Sequence, residues 1–372
     1  MLGRKDTIIR DKRILYAVIV VFIGVFLRFL IMTYGYTFDF ESYKIVGNIM
    51  SKSQSVYAMT TRYNYGPVFF YILGLCQKFA SHVSVDPDLT YRTLIVGVLT
   101  LTDIAIALWL CCHYGIKAAT LFFLNPISII TTGYPHQFDN IAILFILLSV
   151  DYYNDDKKFT KHDLLFIILF TISLIVKHDL YAFPIWLLFK KGLPILKKLL
   201  YAFIPLFLFL LSFVPFYMSS PETASGIKNN VFFYRSSNNA PLLNRFYTLL
   251  GIDNSMWFIC FIVIMILAGI LARKLDIQEN VLIYLICLVT FSSAVTNQYL
   301  AIPLVSLCSI GSVVILFVYS TLMTLYLLAA SNEFRMLSLS MFDHCQEMYL
   351  IATILLLITL LYIFIKRRRG QK

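Results

Sequence analysis

Apolar runs joined by short polar segments fill the chain from Ile14 to Ile365. The first runs from Ile14 to about Thr33, and later ones cover Arg92–Cys112, Ala118–Thr132, Ile141–Tyr153, Asp163–Val176, Ala182–Phe189 and Leu199–Met218. Further runs cover Ser255–Ala272, Asn280–Val295 and Tyr349–Ile365. Residues 299–330 are too long for one span, and Ser309-Ile310-Gly311-Ser312 offers a tight turn between two. Such runs have the length of membrane-crossing helices rather than barrel strands. The pattern predicts an all-α, polytopic membrane bundle of about twelve transmembrane helices, with the Ala118–Thr132 helix kinked at Asn125-Pro126. Two segments differ. Glu41–Lys52 places Ile45, Val46, Ile49 and Met50 on one face, which suits a helix lying in the interface. Pro67–Ala80 is apolar but short for a span, and reads as a second interfacial or re-entrant helix starting at Pro67.

Composition fixes the class. The 372 residues are 59% hydrophobic and 14% charged, with mean hydropathy +0.79, outside the range of soluble domains. Seven Cys are scattered without CxxC spacing, so neither a disulfide framework nor a zinc site is expected. The net charge of +11 does not mark a nucleic-acid binder, because Lys and Arg cluster beside apolar runs. With both termini cytosolic, about two-thirds of the 31 Lys and Arg fall on the inner side. The first apolar run lacks a small-residue cleavage site and reads as a retained helix. We expect one integral membrane domain over 1–372. A catalytic module covers 14–189 with a first outer loop at 34–91, and a second helical module covers 190–372 with an outer loop at 219–254.

In this topology, polar residues from five separate loops collect on the outer face. They are Asp39 and Glu41; Arg62, Tyr63 and Tyr65; His136, Gln137 and Asp139; Lys177 and His178; Arg235 and Arg245; and Asn297 and Gln298. A carboxylate in a partly buried cleft suits deprotonation of a hydroxyl. Cations and backbone donors suit a leaving phosphate. Each residue alone has a plainer reading: Asp139 as a helix cap, His136 as a satisfied loop histidine, Lys177 as an ordinary loop charge, the tyrosines as interfacial anchors. Arg28, inside the first span, either faces a partner or snorkels to the interface.

Several ordered patches resemble the type C (GT-C) membrane glycosyltransferases. Phe38-Asp39-Phe40-Glu41, straight after the first span, is similar to their D-x-D/D-x-E signature. Val56 to Pro67, with Thr61-Arg62-Tyr63-Asn64-Tyr65-Gly66-Pro67, resembles a segment of the glycosylphosphatidylinositol mannosyltransferase that adds the first mannose. It also resembles the Tyr-Pro-Pro segment of asparagine-linked-glycan glucosyltransferases and bacterial polyprenyl-phosphate mannosyltransferases. Asn125-Pro126 with Tyr134-Pro135-His136-Gln137-Phe138-Asp139 is similar to their NP…HGQFD loop, and Lys177-His178-Asp179-Leu180-Tyr181 to a KH…LY element. The patches cover about half of the chain. Glu41 and Tyr65-Gly66-Pro67 depart from the family pattern and leave the sugar open. The resemblance implies transfer of a hexose, mannose or glucose, from a polyprenyl-phosphate donor to a lipid-linked glycan or cell-surface polysaccharide. Asp39 would be the general base and Glu41 its helper. Lys177, His178, Arg235 and Arg245 would hold the donor phosphate; Arg62, Tyr63, Tyr65, His136, Gln137, Asp139, Asn297 and Gln298 would contact substrate. Neither metal nor cofactor is required. A bacterial cell membrane is expected, or the endoplasmic reticulum in a eukaryote. The rivals are a lipid-linked-sugar flippase and an outer-face polysaccharide polymerase or ligase. A flippase would carry an inverted repeat and midplane polar sites.

Overall fold

The computed structural model describes the chain apart from residues 1, 84, 235–240, 252–255, 293–295, 331–344 and 371–372, and apart from the side chains of 2–12, 241, 244, 329–330, 345–347 and 368–370. The described chain is helical, with no strand among the described residues.

The first half starts with α1 (Leu2–Met32) and α2 (Phe38–Ser51). The α2 helix begins ahead of the amphipathic stretch that predicted it. Asp39 and Glu41 therefore lie in its first turn rather than in a loop, where carboxylates suit the positive end of the helix dipole. After one turn, α3 (Val56–Met59), comes α4 (Phe69–Val83), which starts beyond Pro67 rather than at it and packs along α2. Asp86 accepts from Leu89 N at 3.0 Å and Pro87 opens α5 (Pro87–Tyr114). The helices α6 (Ile116–Phe123) and α7 (Pro126–Gly133) meet at a 48° bend at Asn125-Pro126, as the proline predicts. Next come α8 (Asp139–Val150), α9 (Lys161–Val176) and α10 (Phe183–Phe189), with a 115° bend between the last two.

In the second half, α11 (Ile195–Leu211) and α12 (Val214–Tyr217) precede α13 (Pro221–Ile227) and α14 (Pro241–Leu250), so the expected outer loop at 219–254 contains helices. Then follow α15 (Trp257–Ala272), α16 (Ile277–Phe291), α17 (Leu304–Ser309), α18 (Val313–Ala330) and α19 (Cys345–Gly370).

The count of twelve spans does not hold. Among the described residues four helices are long and apolar enough to cross a membrane, or up to six if each bent pair is one span. The reason is length. The α8 helix has 12 residues, about 18 Å at 1.5 Å per residue against a bilayer core of about 30 Å. Only α18 in the 299–330 stretch is a long helix; α17 has six residues and is buried. Apolarity that reads as lipid-facing belongs in these elements to the protein core.

Polar contacts separate to the two ends of the bundle. One end joins Asp39 to Gln137, Asp139 to Lys177 and Asn297 to Tyr349. The other joins Asp163 to Lys197, Lys190 to the Leu275 carbonyl, and Glu279 to Arg367. Since α19 starts at the first end and finishes at the second, the chain crosses the whole bundle there.

Between the ends lies one buried ionic node. The Arg28 Nε donates to Asp103 Oδ2 at 3.0 Å, with Nη2 2.9 Å from the same oxygen. The guanidinium also donates to the Gly24 and Phe123 carbonyls and to Ser128 Oγ at 2.8 Å. Asp103 accepts from Thr132 at 2.7 Å and from Asn140 at 2.6 Å. Arg28 therefore faces partners and does not snorkel. Asp103→Ala is expected to cost about 3–5 kcal/mol, because it strands a buried guanidinium. Reversible unfolding in mixed micelles measures this, and the Arg28→Met/Asp103→Leu pair should recover most of the loss.

Candidate functional site

The site is assembled around the segment after α7. Gln137 N donates back to the Thr131 carbonyl at 3.2 Å, and His136 takes φ +57° to make the turn. That left-handed conformation is uncommon but open to histidine. The turn aims the Gln137 carboxamide at α2. Its Nε2 donates to Asp39 Oδ2 at 2.7 Å, and its Oε1 accepts from Tyr43 at 3.4 Å. Asp39 is half-buried, so one carboxylate oxygen is fixed by an amide at a site that solvent still reaches.

Phe138 anchors the same turn. Its ring stacks on Phe69 at 3.7 Å and meets Tyr65 edge-on at 4.8 Å. Asp139 follows, opening α8, and forms a buried ion pair with Lys177 at 2.5 Å. Lys177 sits at the break between α9 and α10, where the backbone is extended. Its ammonium is also surrounded by the rings of Phe138, Tyr65 and Tyr299, 5.2–5.7 Å away. This aromatic cage stabilises a cation. Asp139 Oδ2 and both ring nitrogens of His136 are buried and lack a partner at hydrogen-bonding geometry.

A close backbone approach places Tyr65. A Cβ on Gly66 would lie 1.9 Å from the Ile175 carbonyl oxygen, so only glycine lets this segment lie against the end of α9. Tyr63 donates to the Gly66 carbonyl at 2.8 Å and accepts from Phe70 N, while Tyr57 donates to the Tyr65 carbonyl at 2.9 Å. Tyr63, expected to contact substrate, and Tyr57 are thus buried braces. Burial raises the phenol pKa of Tyr43, Tyr63 and Tyr65, which keeps them as neutral donors.

Arg62 stacks on Phe38 at 3.7 Å, next to Asp39. It borders an open cleft of about 770 Å³ formed by Thr60, Thr61 and Arg62 on one side and Glu222, Asn229 and Asn230 on the other. The two outer segments expected from the sequence therefore meet. A second, smaller cavity of about 160 Å³ is lined by His178, Asp179, Tyr181, Ser292 and Tyr299. The His178 Nδ1 is buried there without a partner.

The expected residues fall into three groups. Asp39, Tyr65, Gln137, Asp139 and Lys177 come together, while the His136 ring packs on Phe40 within reach of the Arg92 charge and Glu41 lies beside Tyr36. Asn297 is engaged by the Tyr349 hydroxyl, and Gln298 shares its short 3-10 turn. Arg245 stands exposed on α14, which packs on α16 and α19, and Arg235 lies outside the described residues. Two residues were missed, Tyr43 and Tyr299. Tyr43 lies four residues after Asp39 on one helix, a spacing that makes them neighbours. Tyr299 directly follows Asn297-Gln298.

No protein-family model, curated protein or solved structure matches this chain.

Burial, reinforced by the Arg92 charge and opposed by the Tyr134 backbone, lowers the His136 pKa to about 3. An unfolded imidazole titrates near ~6.5. Between these values the unfolded chain binds the extra proton, so stability rises with pH there and is lost as pH falls from about 6.5 towards 3. At pH 5 this group alone costs about 2 kcal/mol. The thermal midpoint in detergent should fall between pH 7 and pH 5, and His136→Asn should flatten part of that slope. An unchanged slope would show that His136 does not stay neutral.

Proposed function

We propose that this chain is a membrane glycosyltransferase that moves a hexose, mannose or glucose, from a polyprenyl-phosphate donor to a lipid-linked glycan or surface polysaccharide on the non-cytosolic face. The observation that carries the reading is Asp39 itself, half-buried, held by Gln137 at 2.7 Å and following Phe38, whose ring carries Arg62 of the cleft. A base needs both access to a hydroxyl and a fixed orientation. Asp39 takes the acceptor hydroxyl proton, the freed oxygen attacks the anomeric carbon with inversion, and the lipid phosphate leaves with the bonding electrons.

The acceptor lies in the open cleft, whose Arg62, Thr60, Thr61, Asn229 and Asn230 offer the hydrogen-bonding groups a glycan needs. The donor phosphate lies by the His178 cavity, with Arg235 and Arg245 as further cations. Lys177 is engaged by Asp139, so it serves the phosphate only as one member of a compensated pair. Both termini are cytosolic in this reading, and the membrane is that of a bacterial cell, or the endoplasmic reticulum in a eukaryote. A polymerase or ligase is the second reading, because residues 221–230 supply one wall of the cleft and would grip a long glycan.

Membranes carrying wild-type protein are offered radiolabelled polyprenyl-phosphate hexoses in turn. One donor should be consumed, and Asp39→Asn should lower transfer by ~10²-fold or more. Gln137→Ala should lower it by a smaller factor, about tenfold, chiefly in kcat, because the base survives but loses its orientation. Equal transfer by Asp39→Asn and wild type, at equal protein level, would remove Asp39 as base.

A further inference from the structure

Two arginines on candidate membrane spans behave oppositely. The Arg28 guanidinium has protein partners on all three nitrogens. Arg92, in the second turn of α5, makes no ion pair and no hydrogen bond to any described residue, and its Nε is buried. It lies over the face of Tyr36, 5.5 Å from the guanidinium carbon, and its charge also reaches the buried His136 ring. A guanidinium half-buried at the start of a membrane helix is costly without an anion.

Arg92 opens into a cavity of about 180 Å³, lined also by Tyr36, Phe40, Lys44, Asp86, Asp88 and Leu89. The Lys44 ammonium lies 5.6 Å from the same Tyr36 ring. The acidic groups on this cavity are already occupied. Asp88 pairs with Lys44 at 2.6 Å, and Asp86 caps α5 through Leu89 N at 3.0 Å. Glu41, the next acid on α2, interacts with Tyr36. Of the two cations on this cavity, Lys44 is paired and Arg92 is not. The walls from Phe40, Leu89 and the Tyr36 ring are apolar, and the cavity sits where α1 ends and α5 begins.

We propose that this cavity is a binding site for the phosphate of a membrane lipid, held in the fork of Arg92 with Lys44 at its rim and the ester carbons against Phe40 and Leu89. A guanidinium matches phosphate geometry through two parallel hydrogen bonds, which an ammonium does not. The apolar walls select a phosphate that carries a lipid over a free one. The site does not depend on Asp39 being a base.

The test uses the full chain, purified in neutral detergent and titrated with phosphatidic acid, with retained lipid counted by native mass spectrometry. Diacylglycerol with the same chains and inorganic phosphate are the two control probes. One phosphatidic acid per chain should be retained, and Arg92→Gln should weaken it about tenfold or more. Arg92→Lys should weaken it less, keeping the charge and losing the fork. Asp39→Asn should bind as wild type does, so that this site and the transferase reading fail separately. Retention of phosphatidic acid by Arg92→Gln at wild-type strength would overturn the proposal. So would equal retention of diacylglycerol, which would make the site merely apolar, or displacement by millimolar inorganic phosphate, which would make it a free-anion site. If Arg92→Gln does not fold, wild-type binding by Arg92→Lys and Lys44→Gln together would overturn it equally.

Discussion

The fold rests on burying one guanidinium and one carboxylate in an apolar layer without leaving either alone. Removing two ions from water costs several kcal/mol each, and their attraction repays that only when the remaining hydrogen-bonding positions are filled. Around Arg28 and Asp103 they are filled. Carbonyls from α1 and α6, the Ser128 hydroxyl, Thr132 and Asn140 complete the shell. Because these groups come from α1, α5, α6, α7 and α8, each of those helices has one permitted depth and rotation. Apolar side chains alone tolerate sliding, since packing in lipid has no strong preference for register.

That register reaches the candidate site through two adjacent residues. Asn140 donates to Asp103, while Asp139 pairs with Lys177. The start of α8 is thus held from one side by the core node and from the other by the break after α9. The turn just before it carries Gln137, whose amide fixes Asp39. A shift in the node would move the partner of the half-buried carboxylate, although no side chain of the node touches it.

Much of this was legible in the residues. The helical class followed from run length, and the kink from Asn125-Pro126. The gathering of Asp39, Gln137, Asp139 and Lys177 at one end followed from counting crossings, and survives although the number of crossings does not, because each short helix still returns the chain. Three things were not legible. Apolar periodicity does not separate a lipid-facing helix from one enclosed by protein, so α8 and α17 read as spans. The pairing of Lys177 with Asp139 joins residues on separate helices, and no local spacing reports it. The roles of Tyr57 and Tyr63 depend on burial, which a tyrosine's amphipathic character leaves open.

The shortness of α15 has a mechanical consequence. Trp257–Ala272 presents Phe258, Val263, Leu267 and Leu271 outward over 16 residues. That wall is about 24 Å tall, several ångströms less than an average bilayer core of about 30 Å. Surrounding lipids must compress to match it, at a fraction of a kcal/mol per ångström. Longer helices such as Pro87–Tyr114 meet a core of ordinary thickness, while beside that wall the bilayer thins. In such a region, headgroups on the two faces stand closer together than elsewhere, and a lipid phosphate has less distance to sink before it reaches the buried end of a cleft.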